Sequence, residues 1–348
     1  MSRIASLLTG VVVVIAALAL PAAAPAATVA TPGGATSVRE FAGAIVFSEF
    51  DPATESWHLA LRRAGASAVE RLPVAPSPRQ FDADIGPDSN GRPAIVYQRC
   101  TGTFGCDLFV YSLTGATGER PVRNANDPAN NDIRPTLWRG RIAWTREYGA
   151  TRDRRPVVYT KSLTAPRSRP STRLPGVPQR RCGDVDRVCG TTRDRSVDAL
   201  ELWGDNLAMT VGYSCRGCAG IFQAELRLVD VTDRTARQVA YQVVGLSGQS
   251  LIGPSFAAGR LAWYKACLGD PSGCGQGEGG PFRYTLGARR YEKGAPGPVR
   301  LHGFADTGTQ LYEVTGCSEE TQGPFNASCR IETVPPPAYA ATRAPLLS

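Results

Sequence analysis

Several absences narrow the chemistry of this chain. Among its 348 residues there are two histidines, His58 and His302, and two methionines. A serine–histidine–carboxylate nucleophile set would have to use one of those two imidazoles. The nucleophile elbow G-x-S-x-G is missing as well, since "GLSGQS" fails it by one position. Lysine is nearly absent: 36 arginines stand against Lys161, Lys265 and Lys293. That imbalance reads as a bias of base composition rather than as dedicated bidentate anion recognition. Helical periodicity is poor beyond the N-terminus, because 37 glycines and 27 prolines interrupt nearly every window longer than ten residues. Beyond residue 26 no apolar run is long enough to span a bilayer.

What is present begins with an export signal. "MSR" is a short basic segment, "LLTGVVVVIAALAL" an uncharged run of 14 residues, and "PAAAPAA" a small-residue cleavage region. This reads as a secretory signal peptide over residues 1–26, cut after Ala26. The competing reading is an uncleaved anchor, and the run falls short of the roughly 20 residues that crossing needs. No cysteine marks a lipoprotein site.

Ten cysteines in an exported chain favour disulfides. They fall as close neighbours, which makes five local staples the simplest connectivity: Cys100 with Cys106, Cys182 with Cys189, Cys215 with Cys218, Cys267 with Cys274, and Cys317 with Cys329.

The dominant pattern is a repeat. Strand-like cores start at Ile45, Ile95, Ile142, Leu207, Leu261 and Leu311, at intervals of 50, 47, 65, 54 and 50 residues. A period near 50 built from short strands suggests a propeller blade. Each core is followed by a second strand, such as "CDLFVYSLTG" or "AELRLVDVTD", and by a shorter third, such as "ERPVRN" or "GPVRLHG". The phrase "DIRPTLWRGRIAWTRE", from Asp132 to Glu147, supplies the strand before the core. The expectation is an all-β, six-bladed propeller of four-stranded blades, strands A to D counted outward from the axis. A 27–40 segment is a candidate ring-closing strand, since "PPPAYAATRAPLLS" makes a poor fourth strand for the last unit. One domain over 41–348 divides at approximately 41–78, 79–126, 127–195, 196–245, 246–302 and 303–348.

Asp132, Pro135, Trp138, Gly140 and Trp144 carry a resemblance to the TolB-type, WD40-like β-propeller repeat. Asp84, Pro87, Gly91 and Tyr97 echo it, with Pro93 as a departure. Pro254, Phe256, Gly259 and Trp263 do so too, with Leu251 in place of the aspartate. The first, fourth and sixth units match only in their strand cores. The phrase itself is architectural: the aspartate accepts backbone hydrogen bonds, proline fixes φ, glycine permits the A–B turn and the aromatics fill space between blades. A propeller fold by itself names no activity.

Loops on such a scaffold carry function. A–B and C–D turns share one face; B–C and D–A loops share the other. All five expected disulfides fall on the B–C and D–A side. So does a basic excess: residues 139–195 carry 14 arginines, Lys161 and five acids, a net of +10. The expected binding face is therefore Arg152, Arg154, Arg155, Arg180, Arg181, Arg187, Arg193 and Arg195. Its partner would be a protein or an anionic surface polymer. Sequence-specific nucleic acid is argued against by the lack of interleaved aromatics, Tyr148 being the only one there.

Several motif matches carry no chemistry. Cys215-Arg-Gly-Cys218 lacks a second ligand pair for zinc and the helix that a redox motif requires. Gly275-Gln-Gly277-Glu-Gly-Gly280 satisfies G-x-G-x-x-G but leads into Pro281, not a helix. "PDSNG" fails the EF-hand pattern and reads as a turn. No cofactor is implied, structural calcium in the tunnel stays open, and no catalytic residue is assigned. The expected function is an exported noncatalytic binding or protein-interaction module engaging an anionic envelope ligand through the basic loop face; the alternative is a carbohydrate lyase or hydrolase working at the axis. An axial cluster of carboxylate, tyrosine and arginine side chains would favour the enzyme. An axis of backbone and small residues would favour the binder.

Overall fold

The computed structural model describes residues 26–342, apart from 103–104, 115–117, 124, 149–154, 167, 176–191, 216–221, 245–248, 268–278, 298–300 and 318–324. The described strands form six antiparallel sheets, each one blade of a six-bladed propeller. From the axis outward, blade one is β2 (Val38–Phe41), β3 (Ala44–Asp51), β4 (Ser56–Arg62) and β5 (Glu70–Arg71). Blade two is β6 (Asp84–Pro87), β7 (Pro93–Cys100), β8 (Cys106–Ser112) and β9 (Glu119–Pro121). Blade three is β10 (Asn131–Trp138), β11 (Arg141–Tyr148), β12 (Arg155–Ser162) and β13 (Thr172–Arg173). Blade four is β14 (Thr192–Trp203), β15 (Asn206–Cys215), β16 (Phe222–Asp230) and β17 (Ala236–Val244). Blade five is β18 (Gln249–Ala257), β19 (Arg260–Cys267), β20 (Gly280–Thr285) and β21 (Arg290–Lys293). Blade six is β22 (Gly303–Asp306), β23 (Leu311–Thr315), β24 (Arg330–Val334) and, as its outermost strand, β1 (Ala27–Ala30) from the other end of the chain.

Each inner strand touches the inner strand of the next blade, and β22 touches β2, so the ring is closed. Ala27 pairs with Thr333 and Thr28 with Glu332, so closure rests on strand pairing between the two ends of the propeller. The final segment does not serve blade six. β25 (Ala340–Thr342) instead pairs with β21 as a fifth strand on blade five.

Period-two alternation explains how every sheet is buried on both faces. Leu59 and Leu61 pack with Phe81, Ile95 and Tyr97 of blade two. Ala60, between them, packs with Tyr312 and Val314 of blade six. All three are fully buried. Each leucine contributes on the order of 2 kcal/mol.

The glycine of the repeated phrase has two reasons to be glycine. Arg139 and Gly140 both take positive φ, 48° and 72°, closing a two-residue turn of the kind hairpins favour. A Cβ on Gly140 would also lie 2.9 Å from the backbone nitrogen of Ser89 on blade two.

Three sequence expectations need correction. "GPVRLHG" is not the outer strand of blade five; β21 is, closing a hairpin with β20. His302 therefore does not end an outer strand. It leads into the innermost strand of blade six, its N–H donating to the Val314 carbonyl. The phrases of blades two and three are also offset. Asp84 pairs with Val96 and Ile85 with Ile95, whereas Thr136 pairs with Ala143 and Leu137 with Ile142. Since Ile95 and Ile142 open equivalent strands, Asp84 occupies the position of Thr136, not that of Asp132. The longer A–B loop at residues 88–92 takes up the difference. That loop is the expected turn, with Asp88 Oδ1 accepting from the N–H groups of Asn90 and Arg92.

Asp132 accepts the N–H of Asp127 and the indole N–H of Trp144, holding the blade entry together. Trp144 is buried and stacks on Tyr159. Trp138 and Phe256 pack against the cores between blades three and four and between blades four and five, as expected, and also reach the axial opening described next.

Candidate axial site

The β-ladder defines one axial layer. In every blade, the residue opposite the second residue of the strand B core lies on strand A at the same height. These residues are Arg39 opposite Val46, Asp84 opposite Val96, Thr136 opposite Ala143, Glu201 opposite Ala208, Ser255 opposite Ala262 and Ala305 opposite Tyr312. Five of the six are polar and three are ionisable. Except for Glu201, which keeps a little surface, all of them are buried.

Arg39 organises the layer. Its Nη1 donates to the Pro254 carbonyl of blade five at 2.7 Å, and its Nη2 donates to the Leu200 carbonyl of blade four at 3.2 Å. Its Nε faces Glu201 Oε2 at 3.5 Å. Asp84 Oδ2 accepts the Thr136 hydroxyl at 2.8 Å and the Leu137 N–H at 2.7 Å. Thr136 Oγ1 in turn accepts the Leu202 N–H at 2.9 Å. The chain of contacts thus crosses blades one to five.

The carboxyl groups differ in setting. Burial raises the pKa of Asp84, against the attraction of Arg39 and its hydrogen bonds. Glu201 is held well above the usual carboxylate range, first by burial and then by the charge of Asp84. Its side chain keeps 15 % of its surface exposed. Its Oε2 atom, however, is closed to solvent and has no hydrogen-bond partner. A buried oxygen left this way costs roughly 1–3 kcal/mol.

Glu201 also lines a cavity of about 160 Å³ at the axial opening on the A–B turn side, with Glu40 as a second carboxyl on the wall. Burial raises Glu40 too, while the Gly43 N–H at 2.6 Å draws it back. Four aromatic rings from four blades border this cavity: Phe41, Trp138, Trp203 and Phe256. Their centroids run in sequence, Phe41 to Trp138 at 6.2 Å, Trp138 to Trp203 at 5.8 Å, and Trp203 to Phe256 at 6.1 Å. All four remain half-buried. Aromatic rings and carboxyl groups on one cavity wall suit a ring with C–H faces and hydroxyl edges.

None of these residues was among the sequence-derived site residues. Of the expected basic face, Arg155 is exposed at the start of β12. Arg193 and Arg195 lie within β14, paired with Ser214 and Tyr213, so they belong to an extended inner strand and not to an inserted loop. Arg152, Arg154, Arg180, Arg181 and Arg187 lie outside the described residues. Among the described residues two disulfides are formed, Cys100–Cys106 between strands B and C of blade two and Cys317–Cys329 across the B–C loop of blade six. Cys215 and Cys267 end β15 and β19, and the pairing expected for them, and for Cys182 with Cys189, lies outside the described residues. His58 stands 3.8 Å from Asp51 at the B–C end of blade one, away from the axial layer. Among the described residues no group of three or more histidine, cysteine or acidic side chains could hold a metal ion. Nor is any described helix long and apolar enough to cross a membrane.

No protein-family model matches the chain. No curated protein matches it in sequence. Solved structures do resemble it. The alpha-L-arabinanase of Penicillium chrysogenum, solved with arabinobiose, is 12 % identical at a TM-score of 0.49 over 90 % of this chain and 98 % of its own. The alpha-L-arabinofuranosidase of Fusarium graminearum is 10 % identical at a TM-score of 0.47, again over 90 % and 98 %. The propeller domain of the Trilobed protease from Pyrococcus furiosus is 8 % identical at a TM-score of 0.44, over 81 % and 78 %. At these identities the likeness extends to the fold alone.

The expectation of a noncatalytic binding module is corrected at this point. The axis itself carries carboxylates and an arginine, where a passive scaffold would present backbone and small residues.

Proposed function

We propose that the chain is an exported propeller hydrolase that cleaves a glycosidic bond at the axial opening. One observation carries this reading. Glu201 is a carboxyl group whose pKa burial raises well above the usual carboxylate range, on the wall of an aromatic-bordered cavity. Glycoside hydrolysis needs two carboxyl groups whose environments set their pKa values apart. Glu201 is the acid: its proton passes to the leaving glycosidic oxygen as the C–O bond breaks. Glu40, nearer solvent and raised by burial that the Gly43 N–H partly offsets, supplies the carboxylate that draws the proton from the attacking water or attacks the sugar carbon itself. Arg39 is a positioning residue that fixes Glu201 and balances the negative charge left after proton transfer. The cavity is smaller than the ~300–1,000 Å³ typical of pockets for drug-sized ligands. It therefore takes a single sugar ring at a time.

Export follows from the signal-like N-terminus and fits the two disulfides. The repeat is read as TolB-type and WD40-like on the residues that carry its phrase. The direct experiment is release of reducing ends by the purified chain from a panel of neutral and acidic polysaccharides, arabinan among them. Turnover of at least one polymer is expected. Failure on the whole panel, with the propeller folded, would refute the reading.

A further inference from the structure

A second cavity, of about 400 Å³, lies away from the axis in the outer seam between blades two and three. Arg120 and Arg123 enter it from the outer edge of blade two, and Lys161 from the end of β12. No acidic residue lines it. Val110, Val122 and Leu163 form apolar wall, and Thr164 adds a hydroxyl beside the cations.

The three cations are not accounted for by the fold. Among the described residues neither Arg120 nor Arg123 has an ion pair, and both are exposed. Glu119, the nearest acid in sequence, is engaged elsewhere, accepting from the Tyr97 hydroxyl at 2.7 Å and from Arg99. Lys161 is buried, at 8 % exposure, and its ammonium donates to the Arg169 carbonyl at 3.1 Å. A buried ammonium has three N–H donors and a desolvation cost that an anion nearby would offset. Burial does lower the Lys161 pKa.

The seam is also rigid at its floor. The Leu163 N–H donates to the Gly140 carbonyl at 2.7 Å. Thr164 N–H and hydroxyl both contact Ser162 Oγ, so the C–D turn of blade three is held in shape.

We propose that this seam is a binding site for a small organic anion: a carboxylate, sulfate or phosphate group held by Arg120, Arg123 and Lys161, on a compact apolar body seated against Val110, Val122 and Leu163. The site is separate from the axial opening and does not depend on the chain's being a hydrolase. Two exposed guanidiniums make binding salt-dependent. The apolar wall makes it selective for anions with a hydrophobic part over inorganic ones.

Naphthalene-1-sulfonate, inorganic sulfate and neutral naphthalene-1-carboxamide, titrated calorimetrically into the full mature chain, test this. The sulfonate should bind one site saturably, at least about tenfold more tightly than either comparator. Arg120→Glu with Arg123→Glu, at exposed positions where the fold should tolerate it, should weaken the sulfonate at least about tenfold. Thr164→Trp, which fills the seam without changing charge, should weaken it similarly. Loss of saturable binding in the wild type, or equal affinity in wild type and both variants, would overturn the proposal.

Discussion

Arg39 and Glu201 face one another across the propeller axis, Nε to Oε2 at 3.5 Å, 162 residues apart in sequence, from blades one and four. The same guanidinium holds carbonyl oxygens of blades four and five. One side chain therefore neutralises the axial carboxyl groups and ties three blades together. Replacing it by Arg39→Met leaves two carbonyls unpaired and two carboxyls without a cation. The expected cost is about 3–5 kcal/mol. Without Arg39 both carboxyls hold their protons more tightly, so stability should fall as pH rises through their elevated pKa values. Urea unfolding at pH 5 and pH 8 checks this. A loss below about 1 kcal/mol that is equal at both values would contradict it.

The aromatic border predicts a change in binding rather than in chemistry. Trp138 and Trp203 touch the cavity through half-buried rings and make no hydrogen bond to the carboxyl groups. Trp138→Ala and Trp203→Ala should each raise KM by roughly tenfold or more with kcat nearly unchanged. Steady-state kinetics on the cleaved polymer decide. A fall in kcat at constant KM would place these rings in the chemical step instead.

A third prediction lies on blade six. Glu313 and Glu332 are directly paired across β23 and β24. Burial and the Glu332 charge push the Glu313 pKa up to about 7. A carboxyl raised in the folded state favours folding below its unfolded value, and that contribution is lost as pH rises toward the folded value. Stability should therefore decline between about pH 4.5 and about pH 7, by on the order of 3 kcal/mol. Glu313→Gln should remove most of that slope and be the more stable form at pH 8. Calorimetric melting across this range measures it, and an unchanged slope in the variant would count against the assignment.

The blades were legible in the sequence because each strand core alternates apolar residues under a strong period. "IAWTRE" and "IVYQRC" could be aligned by eye, and so could the hairpin glycines. The axial layer was not legible. Arg39, Glu201 and Ala305 belong to the units in which the repeated phrase is absent. Asp84 sits within a phrase, but the longer A–B loop at residues 88–92 moves it four positions, from the place of Asp132 to that of Thr136. A one-dimensional motif cannot report such a shift, because register is set by the ladder with the neighbouring strand. The aromatics Phe41 and Trp203 likewise read as ordinary strand ends until six blades bring them round one axis. A usable signal did exist: a charged residue on the inner strand six positions before the B core, Arg39 in blade one and Glu201 in blade four, where an apolar residue would be expected.

The central claim is that Glu201 is the proton donor of an axial glycosidase. The most direct test compares wild type with Glu201→Gln on the polymer that the wild type cleaves, and on a nitrophenyl glycoside of the same sugar. Glutamine keeps the shape but cannot give up a proton as the acid does. Polymer turnover should fall by about 10²–10⁴, while the nitrophenyl substrate, whose leaving group needs no proton, should lose far less, with the melting temperature unchanged or raised. A Glu201→Gln variant that keeps more than about a tenth of wild-type polymer turnover would contradict the account.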